Sequence, residues 1–187
     1  MPMLYFAVPT VALLVGLGLA ASIALLAALL WFASSGNARA KRCVLLVAIP
    51  VWAVGLAVAV LPAAPLPDPS IPAGTFNWIP FFAHRERDLA VETVANLGLF
   101  APLGLMLAFC WRRFAVLKTT ALVLGISICV EATQLALRNN RAADITDVIT
   151  NTAGAFIAAA IGWALVSRMG NRKATAETSV PASLLEG

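Results

Sequence analysis

Five stretches of this chain, Leu4–Phe32, Cys43–Leu61, Thr93–Trp111, Ala115–Leu137 and Ile145–Val166, are apolar over almost their whole length. A helix needs about 20 such residues to cross the hydrocarbon of a bilayer, and each stretch reaches or approaches that length. The pattern excludes most soluble architectures. With 61% hydrophobic and 12% charged residues, the chain lacks the polar surface of a soluble domain, which is about 25% charged. A small soluble domain also buries too little of its surface to hide so many apolar side chains. Lipid resolves the conflict by acting as an apolar solvent. The expected fold is all-α: a polytopic membrane helix bundle of about five transmembrane helices.

The first 33 residues carry no charge. A secretory signal has a basic start and an apolar core of about 7–15 residues. Leu4–Phe32 greatly exceeds that core and is read as a retained helix, long enough to tilt or to project from the bilayer. The organisation expected is two N-terminal transmembrane helices over 1–62 and an aromatic, Pro-rich loop over 63–92. A three-helix region over 93–168 and a disordered tail over 169–187 follow.

Basic residues mark the side of the membrane on which each connection lies, because Lys and Arg accumulate on cytoplasmic loops. With the N-terminus outside, Arg39, Lys41, Arg42, Arg112, Arg113, Lys118, Arg168, Arg172 and Lys173 fall inside. Only Arg85, Arg87, Arg138 and Arg141 fall outside. The expected orientation is therefore N-out and C-in. The net charge of +4 is accounted for by this bias and forms no stripe, so no nucleic-acid partner is expected. Cys43, Cys110 and Cys129 form no CxxC pair and no metal-ligand pattern. They are read as small core residues, with no metal and no cofactor.

The orientation gathers polar residues on the outer side: Asp68, Glu86, Asp88, Glu92, Glu131, Asp144 and Asp147 all belong there. The fourth and fifth spans are joined by a short turn and are expected to pack as an antiparallel hairpin. Glu131, Gln134 and Arg138 follow i, i+3, i+7 spacing and share one helix face. Asp144, Asp147 and Asn151 repeat that spacing on the next helix. The two faces are expected to meet as a ladder of Glu131 with Asn151, Gln134 with Asp147, and Arg138 or Arg141 with Asp144.

Ionisable groups at membrane depth are costly and face a bundle interior or a wet cavity. Glu131 is the deepest acid, and with Asp144 and Asp147 it is a candidate for acid–base chemistry. Structural roles compete with that reading. Asp144 fits a helix N-cap with Asp147 three residues on, as in a capping box. Gln134 and Asn151 fit interhelical bridges worth about 0.6 kcal/mol. Asn96 fits the same role in the third span, where Gly98, Pro102 and Gly104 are expected to loosen or bend the helix. His84, the only histidine, sits in a charge-dense loop and is read as solvated. Phe76, Trp78, Phe81 and Phe82 fit an interfacial aromatic belt, with a lid over the polar site as the alternative.

Four strings taken together resemble the VanZ-like membrane protein family. They are Asn77-Trp78-Ile79-Pro80-Phe81, Ala95-Asn96-Leu97-Gly98-Leu99-Phe100-Ala101-Pro102-Leu103-Gly104, Glu131-Ala132-Thr133-Gln134, and Arg141 through Gly154. They stand in the family's order and cover roughly Asn77 to Trp163. The resemblance implies a multi-pass protein of the bacterial cytoplasmic membrane, associated with low-level resistance to the glycopeptide teicoplanin. It places Asn77, Pro80, Phe81, Asn96, Pro102, Glu131, Gln134, Arg141, Asp144, Asp147 and Asn151 on motif positions.

Three readings of function follow. The first is an envelope protein whose outward polar site engages membrane lipids, a lipid-linked cell-wall precursor or a lipophilic glycopeptide. Its binding residues would be Asn77, Asn96, Glu131, Gln134, Arg141, Asp144, Asp147 and Asn151. The second is an enzyme acting on a phosphate-containing lipid, with Arg141 clamping the phosphate and Glu131 moving a proton, or Asp144 and Asp147 holding a metal. The third is a proton-coupled carrier using Glu131, a reading that no inverted repeat supports.

Overall fold

In the computed structural model, residues 24–25, 27–32, 35–60, 74–81, 89–111, 113–138 and 142–178 are described. Helix α1 is described at residues 24–25 and 27–32. It is followed by α2 (Ala38–Val60), strand β1 (Phe76–Asn77), α3 (Leu89–Cys110), α4 (Ala115–Leu137), strand β2 (Ala143–Asp144) and α5 (Ile145–Thr178). Four of these helices, α2 to α5, are long and apolar enough to cross a membrane. The chain is an all-α membrane bundle. Residues 4–23 of the first expected span lie outside the described residues.

Helix α4 has the bounds that its apolar run predicts, whereas three other helices overrun theirs. Helix α2 starts at Ala38, ahead of Cys43, because Asn37 Oδ1 accepts the Ala40 N–H at 2.9 Å and caps the first turn. The basic residues Arg39, Lys41 and Arg42 are thus helical, although they lie outside the apolar run. Helix α3 likewise begins at Leu89. Helix α5 continues to Thr178, into the stretch read from the sequence as a disordered tail from residue 169. No Pro interrupts that stretch before Pro181, and Arg, Lys, Met and Ala sustain a helix already nucleated upstream.

The bundle is organised around α3 and α5, which run parallel and in close contact. Small residues permit the approach. A Cβ on Gly104 would stand 2.7 Å from the Ala155 Cα, and one on Gly154 would stand 2.8 Å from the Leu97 Cα. Ala155, Ala159 and Ala108 are buried along the same seam. Helices in lipid gain little from hydrophobic burial and associate through such close backbone packing.

Helix α2 lies antiparallel to α3 and is fastened at two levels. Trp52 Nε1 donates to the Leu99 carbonyl at 2.8 Å, one turn before Pro102, and the Trp52 ring meets Phe100 edge-on at 5.4 Å. At the other end Lys41 Nζ donates to the Phe109 carbonyl at 3.4 Å, where the last carbonyls of α3 have no intrahelical partner. Pro102 sits inside α3 without ending it.

The apolar outer faces remain uncovered. Leu46, Val47, Val51, Val54 and Val58 on α2 are exposed, as are Leu117, Leu122 and Ile128 on α4. Lipid is the solvent that suits such faces. The inner face of α4 is of a different kind: Ala115, Thr119, Val123, Ser127, Glu131 and Gln134 are buried.

Candidate functional site

The short connection between α4 and α5 does most of the assembly. Helix α4 stops at Arg138, whose φ of 49° is left-handed and whose N–H returns to the Gln134 carbonyl. The chain then enters β2, and β1 pairs with it in parallel, Phe76 opposite Ala143 and Asn77 opposite Asp144. Ala143 N donates to the Thr75 carbonyl at 3.0 Å. This pairing brings the aromatic loop to the end of the bundle where α3 and α5 begin and α4 ends.

Asp144 is the centre of the cluster. Its Oδ1 accepts the Thr146 N–H at 2.7 Å, the N-cap bond that opens α5. Its Oδ2 accepts from Asn77 Nδ2 at 3.0 Å, which fastens the loop. Its own backbone N–H donates to Glu131 Oε2 at 2.8 Å, which fastens α4. Capping and clustering are thus roles of one residue.

The place expected of Asp147 in a capping box is taken by Glu131. In that arrangement the carboxylate three residues after the cap accepts the cap residue's N–H. Here Glu131 from α4 takes that N–H, and Asp147 Oδ1 instead accepts from Asn96 Nδ2 of α3 at 2.7 Å. The expected rung of Glu131 with Asn151 gives way to two other bonds. Asn151 Nδ2 donates to Ser127 Oγ at 3.0 Å, one turn below Glu131, and Glu131 meets the backbone of Asp144. The start of α5 thus lies level with Glu131, and Asn151 meets α4 one turn below it.

Burial sets this cluster apart from ordinary surface polarity. Glu131, Gln134, Asp144 and Asn151 are 3%, 4%, 6% and 4% exposed, while Asn77, Asn96 and Asp147 are half-buried. Asn151 Oδ1 is buried with no hydrogen-bond partner among the described residues. Arg141 lies outside the described residues, as do Phe82 and His84. Among the described residues, no group of three His, Cys, Asp or Glu side chains is placed to hold a metal ion.

The loop over the cluster is held from below and bare above. Asn77 Oδ1 accepts the Ile79 N–H at 3.1 Å, and Phe81 N donates to Thr146 Oγ1 at 3.0 Å. Phe81 adopts a φ of 56°, a left-handed conformation that costs a bulky side chain energy and persists where its surroundings impose it. The Phe76 and Trp78 rings meet at a tilt of 46°, with centroids 4.1 Å apart. Trp78, Ile79 and Phe81 are 75%, 57% and 50% exposed.

Sequence reasoning missed Ser127, Thr146 and Trp52. Ser127 lies four residues before Glu131 on the buried face, a signal that helical spacing could have supplied. Thr146 and Trp52 act through backbone groups of distant segments, which spacing does not reveal.

The family model described as VanZ/LLP1 matches residues 19–166. Protein VanZ of Enterococcus faecium is 33% identical over 92 residues, covering 44% of this chain and 56% of that protein. The match thus spans about half the length of that relative. No solved structure matches the chain. The family match takes in α2 to α4, both strands and the membrane-spanning start of α5, so the chain belongs to the VanZ/LLP1 family of membrane proteins.

Proposed function

We propose that the cluster around Asp144 is an outward-facing site of a bacterial plasma-membrane protein, oriented N-out and C-in. It engages the polar part of an amphiphile: a lipid, a lipid-linked cell-wall precursor or a glycopeptide of the teicoplanin type. One observation carries this reading. Asn77 from the loop, Glu131 from α4 and the first turn of α5 converge on Asp144, and the loop that Asn77 fastens carries exposed Trp78, Ile79 and Phe81. A polar cluster capped by apolar side chains at the end of a membrane bundle matches the two halves of an amphiphile. The basic bias of nine residues against four supports the orientation.

The test compares wild type with Glu131→Gln, Asp144→Asn and Asp147→Asn in a deletion host. Teicoplanin susceptibility is read beside the amount of folded protein in the membrane, after a wild-type response has been established. Loss of protection at unchanged protein level is the expected result. Protection that survives all three substitutions, or that falls only in step with folded protein, removes the site assignment.

A further inference from the structure

The end of the bundle opposite Asp144 carries a second feature of different chemistry. A hollow of about 250 Å³ opens there between α1, α2 and α5, lined by Phe32, Gly36, Lys41, Val166, Met169 and Gly170 among others. Among the described lining residues Lys41 is the one charged side chain, and it is half-buried. Its ammonium has three donors, and the bond to the Phe109 carbonyl uses one. Arg39, Arg42 and Arg168 are exposed nearby along α2 and α5. The carboxylates whose side chains are described, Glu92, Glu131, Asp144 and Asp147, all belong to the other end.

We propose that this hollow binds an anionic phospholipid. The headgroup phosphate accepts from Lys41, and an acyl chain lies over Phe32, Val166 and Met169. Three observations converge on that occupant. The hollow lies where α1 ends, α2 begins and the apolar run of α5 runs out, which is headgroup height for a membrane-spanning bundle. Its floor is apolar, which suits a hydrocarbon chain and contributes nothing to a free anion. The charged side chains described in and beside it, Lys41, Arg39, Arg42 and Arg168, are all positive, and basic recesses between helices at the membrane surface recruit anionic lipids. A zwitterionic lipid brings its own cation to compete with Lys41.

The full chain, purified in a neutral detergent, is titrated with phosphatidylglycerol, phosphatidylcholine or inorganic phosphate, and its thermal unfolding midpoint is followed. Phosphatidylglycerol is expected to raise the midpoint saturably, while the other two leave it unchanged. Lys41→Gln is expected to need about fivefold more phosphatidylglycerol, the equivalent of roughly 1 kcal/mol per basic residue at an anionic surface. Met169→Trp fills the hollow while leaving Lys41 and Phe109 in place, and is expected to abolish the response. Arg113→Gln, basic but not part of the lining, is expected to shift the titration less than twofold.

Equal stabilisation by phosphatidylcholine overturns the proposal, as does a full response to inorganic phosphate. So does a loss in Arg113→Gln as large as in Lys41→Gln, which marks general surface attraction. A wild-type titration in Met169→Trp overturns it even where Lys41→Gln fails to fold.

Discussion

The Glu131 carboxylate of α4 accepts the backbone N–H of Asp144 at 2.8 Å, taking the place that a capping-box side chain would occupy at the start of α5. Two helices are therefore joined through a buried backbone donor. Glu131→Ala is expected to destabilise the protein by about 1–3 kcal/mol, the cost of orphaning a buried donor. Glu131→Gln keeps an acceptor oxygen and is expected to lose less. Thermal unfolding of both variants in one detergent checks the order, and equal losses would contradict the assigned bond.

Asn96 and Asp147 join α3 to α5 at 2.7 Å. A double-mutant cycle with Asn96→Ala and Asp147→Ala is expected to give a coupling within the range of about 0.5–3 kcal/mol seen for directly bonded pairs. The pair formed by Asn151 and Ser127 joins two neutral groups and is expected to fall near the membrane average of about 0.6 kcal/mol. Additive effects for Asn96 and Asp147 would remove that contact from the account.

The α3–α5 seam has no room for a Cβ at Gly104, Gly154 or Gly162. Gly104→Ala and Gly154→Ala each place a Cβ against the facing helix backbone, and overpacking of this kind costs about 1–3 kcal/mol. Gly98→Ala meets nothing within 4 Å and serves as the control, with no loss expected. The fraction of monodisperse protein after solubilisation and heating separates them.

Asn77 holds the aromatic loop to Asp144. Asn77→Asp sets two carboxylates face to face, and Asn77→Ala removes the donor. Both are expected to accelerate amide hydrogen exchange over residues 76–81, with the Phe81 N–H as the reporter, while exchange within α3 stays as in wild type. Unchanged exchange over the loop would mean that strand pairing alone holds it.

The Trp52 indole N–H reaches the Leu99 carbonyl at 2.8 Å. Trp52→Phe keeps the edge-on contact with Phe100 and loses only the hydrogen bond, with an expected cost of about 0.5–1.5 kcal/mol. Trp52→Ala also loses the ring packing and is expected to cost about 3–5 kcal/mol. Unfolding midpoints of the two variants should differ clearly.

The bundle was legible because hydrophobic length is a one-dimensional property. The runs Ala115–Leu137 and Ile145–Val166 declare their helices without reference to any other segment, and the acids Glu131, Asp144 and Asp147 stand out against them. Helix spacing also placed Glu131 and Gln134 on one buried face. Register across helices was not legible in the same way. Whether Glu131 meets Asn151 or the Asp144 backbone depends on how tightly the α4–α5 turn closes, and that is set by the left-handed Arg138 and by β1 pairing with β2. Two-residue strands carry no periodic signal.

The sequence by itself determined the membrane-helix class, the hairpin of α4 and α5, and the set of polar residues available at one end of the bundle, because lipid tolerates only long apolar helices and penalises every stray charge. The tertiary structure decided which of those residues touch. Asn77 lies 67 positions from Asp144 and Asn96 51 positions from Asp147. Such partners are chosen by the close α3–α5 packing at Gly104 and Gly154 and by the pairing of a loop with a turn, both of which exist only once the chain has folded.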